Sequence, residues 1–142
     1  MTRKPSNNQP WIYSEKVKEL FLHPKNYLHG SEQDFNFDAK GTAGNPVCGD
    51  EMIIYIKVSH RAKSADLIIK DIKWKTYGCA SAIASTSALS ELAKGKTMSE
   101  AQKITPEQIE NYLGGLPKHK FHCSVLGQQA LTDAIKKYKE TI

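Results

Sequence analysis

Cysteine is scarce in this chain, and long hydrophobic runs are missing. Three of the 142 residues are cysteines (Cys48, Cys79 and Cys123), and no two of them form a Cys-x-x-Cys pair. The odd number argues against a disulfide framework, and the spacing differs from that of zinc fingers and thioredoxin-type motifs. No apolar stretch approaches the roughly 20 residues that span a bilayer. We therefore expect free thiols and no membrane segment.

The N-terminal residues 1–10 are polar and lack the apolar region of a signal peptide. A cytoplasmic location is therefore expected. The length of 142 residues favours one domain over two. We predict a single domain over 1–142, with 1–10 flexible.

Charge of one sign is in modest excess. The chain has 20 Lys and Arg residues against 15 Asp and Glu, a formal net charge of +5. A nucleic-acid-binding surface is expected to show a basic run interleaved with aromatic residues. The sequence contains no such run. A solvated basic surface is the preferred interpretation, and no nucleic-acid partner is expected.

The apolar pattern predicts an α+β domain, because a helix is followed by strands and then by several helices. A first helix begins after Ser14 and ends before Pro24, and residues 25–47 are expected to be mostly loop. Strands are predicted over 51–58 and within 65–78, joined as an antiparallel hairpin. Helices are predicted in the segments 79–96, 105–115 and 124–140.

All three cysteines lie where one element gives way to another. Cys48 follows a bend rich in Gly and Pro, Cys79 follows a predicted strand, and Cys123 precedes the last predicted helix. None lies within an apolar run, so simple core packing explains them poorly. A thiol near a helix N-terminus is shifted toward the thiolate, which binds soft metals and attacks electrophiles. The three positions therefore indicate a site.

Two further donors accompany the cysteines. Asp50 is two positions after Cys48, and His122 directly precedes Cys123. Taken singly, the aspartate suits an Asx turn and the histidine suits an ordinary surface position. Taken together with the thiols, they form a set of sulfur, oxygen and nitrogen ligands typical of a metal site.

Two other interpretations stay open on the residues alone. Cys123, a histidine and Asp50 would make the catalytic triad of a hydrolase or acyltransferase. We rank it lower, because the adjacent side chains of His122 and Cys123 rarely point at each other and two cysteines would be unused. The second alternative is a structural zinc domain, which would unfold when the metal is removed.

The cysteine segments resemble the iron–sulfur cluster scaffold family, of the IscU type and the N-terminal domain of NifU. The matching blocks are "YSEKVKELFLHPKN", "GNPVCGD", "YGCASAIASTSALSEL" and "LPKHKFHCSVLGQQAL". They extend over about residues 11–138, nearly the whole chain. The combination is far more specific than any single block.

The resemblance implies a small antiparallel sheet packed against several helices, with the site at one tip. It implies a non-catalytic scaffold that holds a labile [2Fe–2S] cluster, iron before assembly, or Zn²⁺ in the isolated protein. The implied accessory residue is Lys120. Cys123 is the implied sulfur acceptor, which we expect to be a partly exposed thiolate on a mobile loop. The implied ligands are Cys48, Asp50, Cys79, His122 and Cys123.

The resemblance also implies partners. A cysteine desulfurase would supply sulfur, and acceptor apo-proteins would receive the cluster. A frataxin-like protein, a ferredoxin, a chaperone and a second copy of the chain are further partners compatible with it. The chain departs from the family's chaperone motif Leu-Pro-Pro-Val-Lys, because Lys118 and His119 replace its central Pro-Val pair. Recognition by a specialised Hsp70-type chaperone is therefore not carried over.

Overall fold

The computed structural model describes residues 14–45, 50–59 and 67–140. In chain order, the strands are β1 (Ala39–Asn45), β2 (Asp50–Ser59) and β3 (Ile68–Tyr77). Helices α1 (Glu15–Leu22) and α2 (Glu32–Phe35) precede the sheet. After it come α3 (Ala80–Ala93), α4 (Met98–Gln102), α5 (Pro106–Tyr112), a 3₁₀ turn (Lys118–Lys120) and α6 (His122–Glu140).

The three strands form one antiparallel sheet in the order β1-β2-β3. Alternation along β2 buries Met52, Ile54 and Ile56 on one face of the sheet. Because side chains alternate between faces of a strand, Tyr55 points to the other face, where it forms a small second cluster with Leu28 and Phe35. The predicted α+β class and the antiparallel β2–β3 pair are confirmed.

Helices α3 and α6 pack against the inner face of the sheet and against each other. Ten of the 14 residues of α3 are buried, and most of these are Ala or Ser. Small side chains let neighbouring elements approach closely, so α3 lies in contact with α1, α5, α6 and β3. The main core follows from this arrangement, with Trp74, Leu89, Ile109 and Leu131 among its fully buried members.

The prediction that residues 25–47 are mostly loop is wrong in part. Strand β1 lies in this segment, although "AKGTAGN" has only one β-branched residue and no aromatic one. Its pairing with β2 and its contact with α6 outweigh its weak local preference for a strand. Helix α2 is a single turn that begins at the N-cap Ser31 and ends at Asn36 in the left-handed conformation.

Several predicted helix boundaries are confirmed by their caps. The Ser14 hydroxyl accepts the N–H of Val17 at the start of α1. Thr105 and Gln108 form the expected capping box of α5. Helix α4 was not predicted, although Thr97 and Glu100 form a second capping box at its start.

The predicted flexible segment 1–10 and most of the hairpin loop between β2 and β3 fall outside the described residues. Over residues 14–45, 50–59 and 67–140, no helix combines the length and the apolar character needed to cross a lipid bilayer.

Candidate metal centre

Three element boundaries meet at one end of the sheet. Asp50 is the first residue of β2, Cys79 is the N-cap of α3 directly after β3, and α6 begins with His122 and Cys123. Because β2 and β3 are antiparallel, the start of β2 lies beside the end of β3. The contact between α3 and α6 brings the two helix N-termini to the same end.

The ligand atoms of Asp50, His122 and Cys123 all lie within 4.8 Å of one another. The Asp50 Oδ2 atom is 3.5 Å from His122 Nε2, and Cys123 Sγ is 3.8 Å from the same nitrogen. Two tetrahedral ligands of one zinc ion are roughly 3.3–3.8 Å apart, given metal–ligand bonds of about 2.0–2.3 Å. This trio therefore has nearly the spacing that a single metal ion requires.

The expectation that His122 and Cys123 do not approach each other is wrong, because their side chains are in contact. The contact nevertheless favours a metal over a catalytic triad. In a triad, one ring nitrogen faces the nucleophile and the other faces the acid. Here the Cys123 sulfur and the Asp50 carboxylate both face Nε2 of His122, which is convergence on one point.

Cys79 lies beside this trio and contacts it through Cys123. Accepting a hydrogen bond from the Cys123 thiol lowers the pKa of Cys79 to about 5, and the N–H of Ala82 and the charge of Lys120 act in the same direction. The Lys120 Nζ atom is 3.6 Å from Cys79 Sγ. The pKa of Cys123 is strongly raised, first by its bond to Cys79 and then by burial. The two shifts therefore favour the thiolate at Cys79 over the thiolate at Cys123.

The expectation that Cys123 is partly exposed is wrong. Cys123 is 0% exposed and belongs to the main core, because it lies in the first turn of α6 and not in the preceding loop. The accessible side of the site is formed by other residues: His122 is 45% exposed, and Cys79 is partly exposed.

Cys48 lies outside the described residues, as does the bend that precedes it. The fold therefore brings together Asp50, Cys79, His122, Cys123 and Lys120, and the position of the first cysteine stays a prediction.

Two features of the site were not predicted from the sequence. Gly78 lies against the Asp50 carboxylate, in a position that a larger residue could take only by displacing the carboxylate. Thr76 donates a hydrogen bond to Thr86, whose hydroxyl donates to the carbonyl of Ala82, and this buried chain ties the end of β3 to the first turns of α3. A threonine in a strand gives no signal of such a contact.

Comparisons with known sequences show the family of the chain. The family model described as NifU-like N terminal domain matches residues 12–142. An iron-sulfur cluster assembly scaffold protein IscU from Archaeoglobus fulgidus is 51% identical over 127 residues, which cover 89% of this chain and 76% of the relative. The scaffold protein IscU of Azotobacter vinelandii is 43% identical over 127 residues, which cover 89% of this chain and 94% of the relative.

Solved structures share the fold. A NifU-like protein (N-terminal) from Brucella abortus superposes with a TM-score of 0.70 at 17% identity, covering 96% of this chain and 100% of that one. A putative iron-sulfur cluster assembly scaffold protein for the SUF system from Fervidobacterium islandicum gives a TM-score of 0.68 at 22% identity. The match covers 92% of this chain and 99% of that one. At these identities the likeness establishes the architecture alone.

Proposed function

Because the chain belongs to the NifU-like N-terminal domain family, we propose that it is a non-catalytic scaffold on which iron–sulfur clusters are assembled and from which they are transferred. The supporting observation is the convergence of a carboxylate, an imidazole and a thiol within 4.8 Å, with Cys79 beside them. Relatives that cover most of this chain are named as cluster assembly scaffolds.

The proposed ligands of the cluster come from three boundaries of the fold. Thiolates are the usual ligands of iron–sulfur clusters, and the lowered pKa of Cys79 favours its thiolate. Cys123 would lose its proton when iron replaces the hydrogen bond between the two thiols. Lys120, 3.6 Å from Cys79, would balance part of the negative charge. The proposed set is Cys48, Asp50, Cys79, His122 and Cys123.

A carboxylate in this set gives the cluster a weak point. Oxygen suits iron–sulfide units less well than sulfur does, so a cluster held partly by Asp50 is easier to release than one held by four thiolates. Replacing the carboxylate should slow the loss of the cluster. The Asp50→Ala variant should hold a reconstituted [2Fe–2S] cluster longer in the presence of a chelator. If this variant transfers its cluster to an acceptor protein as fast as the parent does, Asp50 does not make the cluster labile.

Sulfur is proposed to arrive from a cysteine desulfurase as a persulfide and to be accepted by Cys123. Cys123 would first pass its proton to Cys79, to which it is hydrogen-bonded. The resulting Cys123 thiolate would bond to the outer sulfur of the persulfide, and the desulfurase cysteine would leave as a thiolate. Because Cys123 is fully buried, acceptance requires the first turn of α6 to open. Mass spectrometry after incubation with desulfurase and cysteine should show the added sulfur, and Cys123→Ser should abolish it. Sulfur retained in that variant and lost in Cys79→Ser would reassign the role.

The scaffold role and the family resemblance imply further partners. Acceptor apo-proteins follow from the scaffold role itself. A frataxin-like protein, a ferredoxin and a second copy of the chain stay predictions. For a chaperone, Lys118 and Lys120 lie in a 3₁₀ turn that leads directly into α6, so a chaperone that binds here would meet a basic segment next to the cluster ligands.

Anaerobic reconstitution tests the proposed function. The protein is incubated with ferrous iron, cysteine and a desulfurase, and the visible absorption spectrum is recorded. We expect absorption bands of a [2Fe–2S] cluster, with their loss in Cys79→Ser and Cys123→Ser. A protein that binds Zn²⁺ tightly but never forms a cluster would favour the structural zinc domain instead.

A further inference from the structure

Asp50 and Gly78 face each other across the sheet. In the β2–β3 register Glu51 is opposite Tyr77, so the next pair outward is Asp50 opposite Gly78. Alternation along β3 buries Ile72, Trp74 and Thr76, which places position 78 on the same inner face. Gly78, opposite Asp50, therefore places no side chain on the face of the sheet where the candidate ligands meet.

The Asp50 carboxylate occupies the space that this missing side chain leaves. A Cβ atom at position 78 would lie 2.6 Å from Asp50 Oδ1 and 3.3 Å from its Cγ. Real Cβ atoms do not approach a heavy atom so closely, so any other residue would force the carboxylate to move. The same carboxylate is only 12% exposed, and its other oxygen is 3.5 Å from His122 Nε2.

The backbone does not require glycine at this position. The φ angle of Gly78 lies outside the left-handed region, unlike those of Gly30, Gly95, Gly114 and Gly115. Alanine could adopt the same backbone conformation. Apart from Asp50, the nearest atom to the added methyl group is Ala82 Cβ at 3.2 Å, a contact that a small shift relieves.

We propose that Gly78 is a positioning residue for the weak oxygen ligand: by lacking a side chain, it lets the Asp50 carboxylate lie against the strand end and face His122. This inference rests on the proposed function, in which Asp50 holds the cluster and keeps it labile. An alanine at position 78 would displace the carboxylate and partly reproduce the loss of that ligand.

Four proteins test the proposal: the parent, Gly78→Ala, Asp50→Ala and the double variant. The measurement is the half-life of a reconstituted [2Fe–2S] cluster in excess chelator, followed by absorption, together with the free energy of unfolding of each apo-protein. Gly78→Ala should lengthen the half-life, and by no more than Asp50→Ala does, because it displaces the carboxylate without removing it. In the Asp50→Ala background the same substitution should change nothing, because there is no carboxylate to displace.

General damage to the fold would have the opposite sign, since a loosened site loses its cluster faster. A half-life that is unchanged or shortened by Gly78→Ala, while Asp50→Ala lengthens it, would overturn the proposal. So would an equal effect of Gly78→Ala in both backgrounds.

A crystal structure of apo Gly78→Ala separates this inference from the proposed function. We expect the carboxylate to have moved away from His122 Nε2. A carboxylate that stays near 3.5 Å while the strand shifts instead would refute the positioning role. If Asp50→Ala leaves the cluster half-life unchanged, the proposal that Asp50 keeps the cluster labile fails. The role of Gly78 is then decided by the position of the Asp50 carboxylate in the crystal structure of apo Gly78→Ala.

Discussion

Cys79 and Cys123 are both thiols at the start of a helix, yet their environments differ. Cys79 is partly exposed, accepts a hydrogen bond from Cys123 and lies near the cation of Lys120. Cys123 is buried in the main core and donates that bond. The two pKa shifts therefore favour the thiolate at the accessible cysteine and the protonated thiol at the buried one.

This difference predicts unequal reactivity in the metal-free protein. Limited anaerobic treatment with iodoacetamide at pH 7 should modify Cys79 well before Cys123, because the reagent reaches an exposed thiolate far faster than a buried thiol. Peptide mass spectrometry measures the two rates. In urea, where the fold is lost, the two rates should become similar. Faster modification of Cys123 in the folded protein would contradict the described burial.

At the residue scale, the sequence was sufficient to single out the candidate ligands but not their arrangement. The contexts of Asp50, Cys79, His122 and Cys123 drew attention to them before any fold was known. The sharing of a proton between two cysteines 44 positions apart in the numbering depends on contact between α3 and α6, which no local pattern encodes. The space beside Gly78 likewise depends on the strand register.

At the element scale, the position of β1 depends on its contact with α6. A Cβ atom on Gly41 would lie 2.2 Å from the Ala130 carbonyl oxygen and 2.2 Å from the Ala134 nitrogen. Asp133 of the same helix accepts the backbone N–H of Thr42 at 2.9 Å. The edge strand is thus held by close backbone packing and by one carboxylate.

Gly41→Ala should destabilise the protein, because the added methyl group meets backbone atoms of α6 that cannot rotate away. We expect a loss of about 3 kcal/mol in the free energy of unfolding, the upper part of the range for overpacked positions. Thr42→Ala is the matched control, since Thr42 is exposed and its backbone hydrogen bond is kept. Urea denaturation measures both. Equal stability of the two variants would show that β1 is not packed as described.

Asp133 predicts a dependence of stability on pH. The backbone N–H of Thr42 and the nearby Lys137 lower the pKa of Asp133 below its ordinary value of 3.8. A carboxyl whose pKa is lower in the folded state stabilises the fold above 3.8 and loses this effect as the pH falls through the folded value. Asp133→Asn should therefore be less stable than the parent at pH 7. The difference in denaturation midpoint between the parent and Asp133→Asn should narrow below pH 3.8. A difference that does not change with pH would contradict a lowered pKa of Asp133 in the folded protein.

The elements were predictable where local pattern and tertiary environment agree. The strongly apolar β2, the capped α1 and α5, and the long α6 all carried clear sequence signals. Strand β1 carried none, because Gly41 and its small neighbours permit the close approach of α6 but have little preference for a strand.

At the scale of the whole molecule, the fold has a large hydrophobic core of its own. This core includes residues from the sheet and from α1, α3, α4, α5 and α6, and among the described candidate ligands Cys123 is buried in it. A chain whose fold rested on zinc would unfold when the metal is removed. Here we expect the metal-free protein to keep its secondary structure and a cooperative unfolding transition. Circular dichroism before and after dialysis against a chelator tests this, and loss of the helical signal would favour the structural zinc domain.

The central claim is that three sulfur atoms from separate parts of the chain reach one metal site beside Asp50. An anaerobic crystal structure of the cluster-loaded protein tests it most directly. We predict that Cys48, Cys79 and Cys123 each contribute a sulfur within about 2.3 Å of a metal atom, with Asp50 or His122 as the remaining ligand. A cluster bound without Cys79 and Cys123, or bound elsewhere on the chain, would contradict the account.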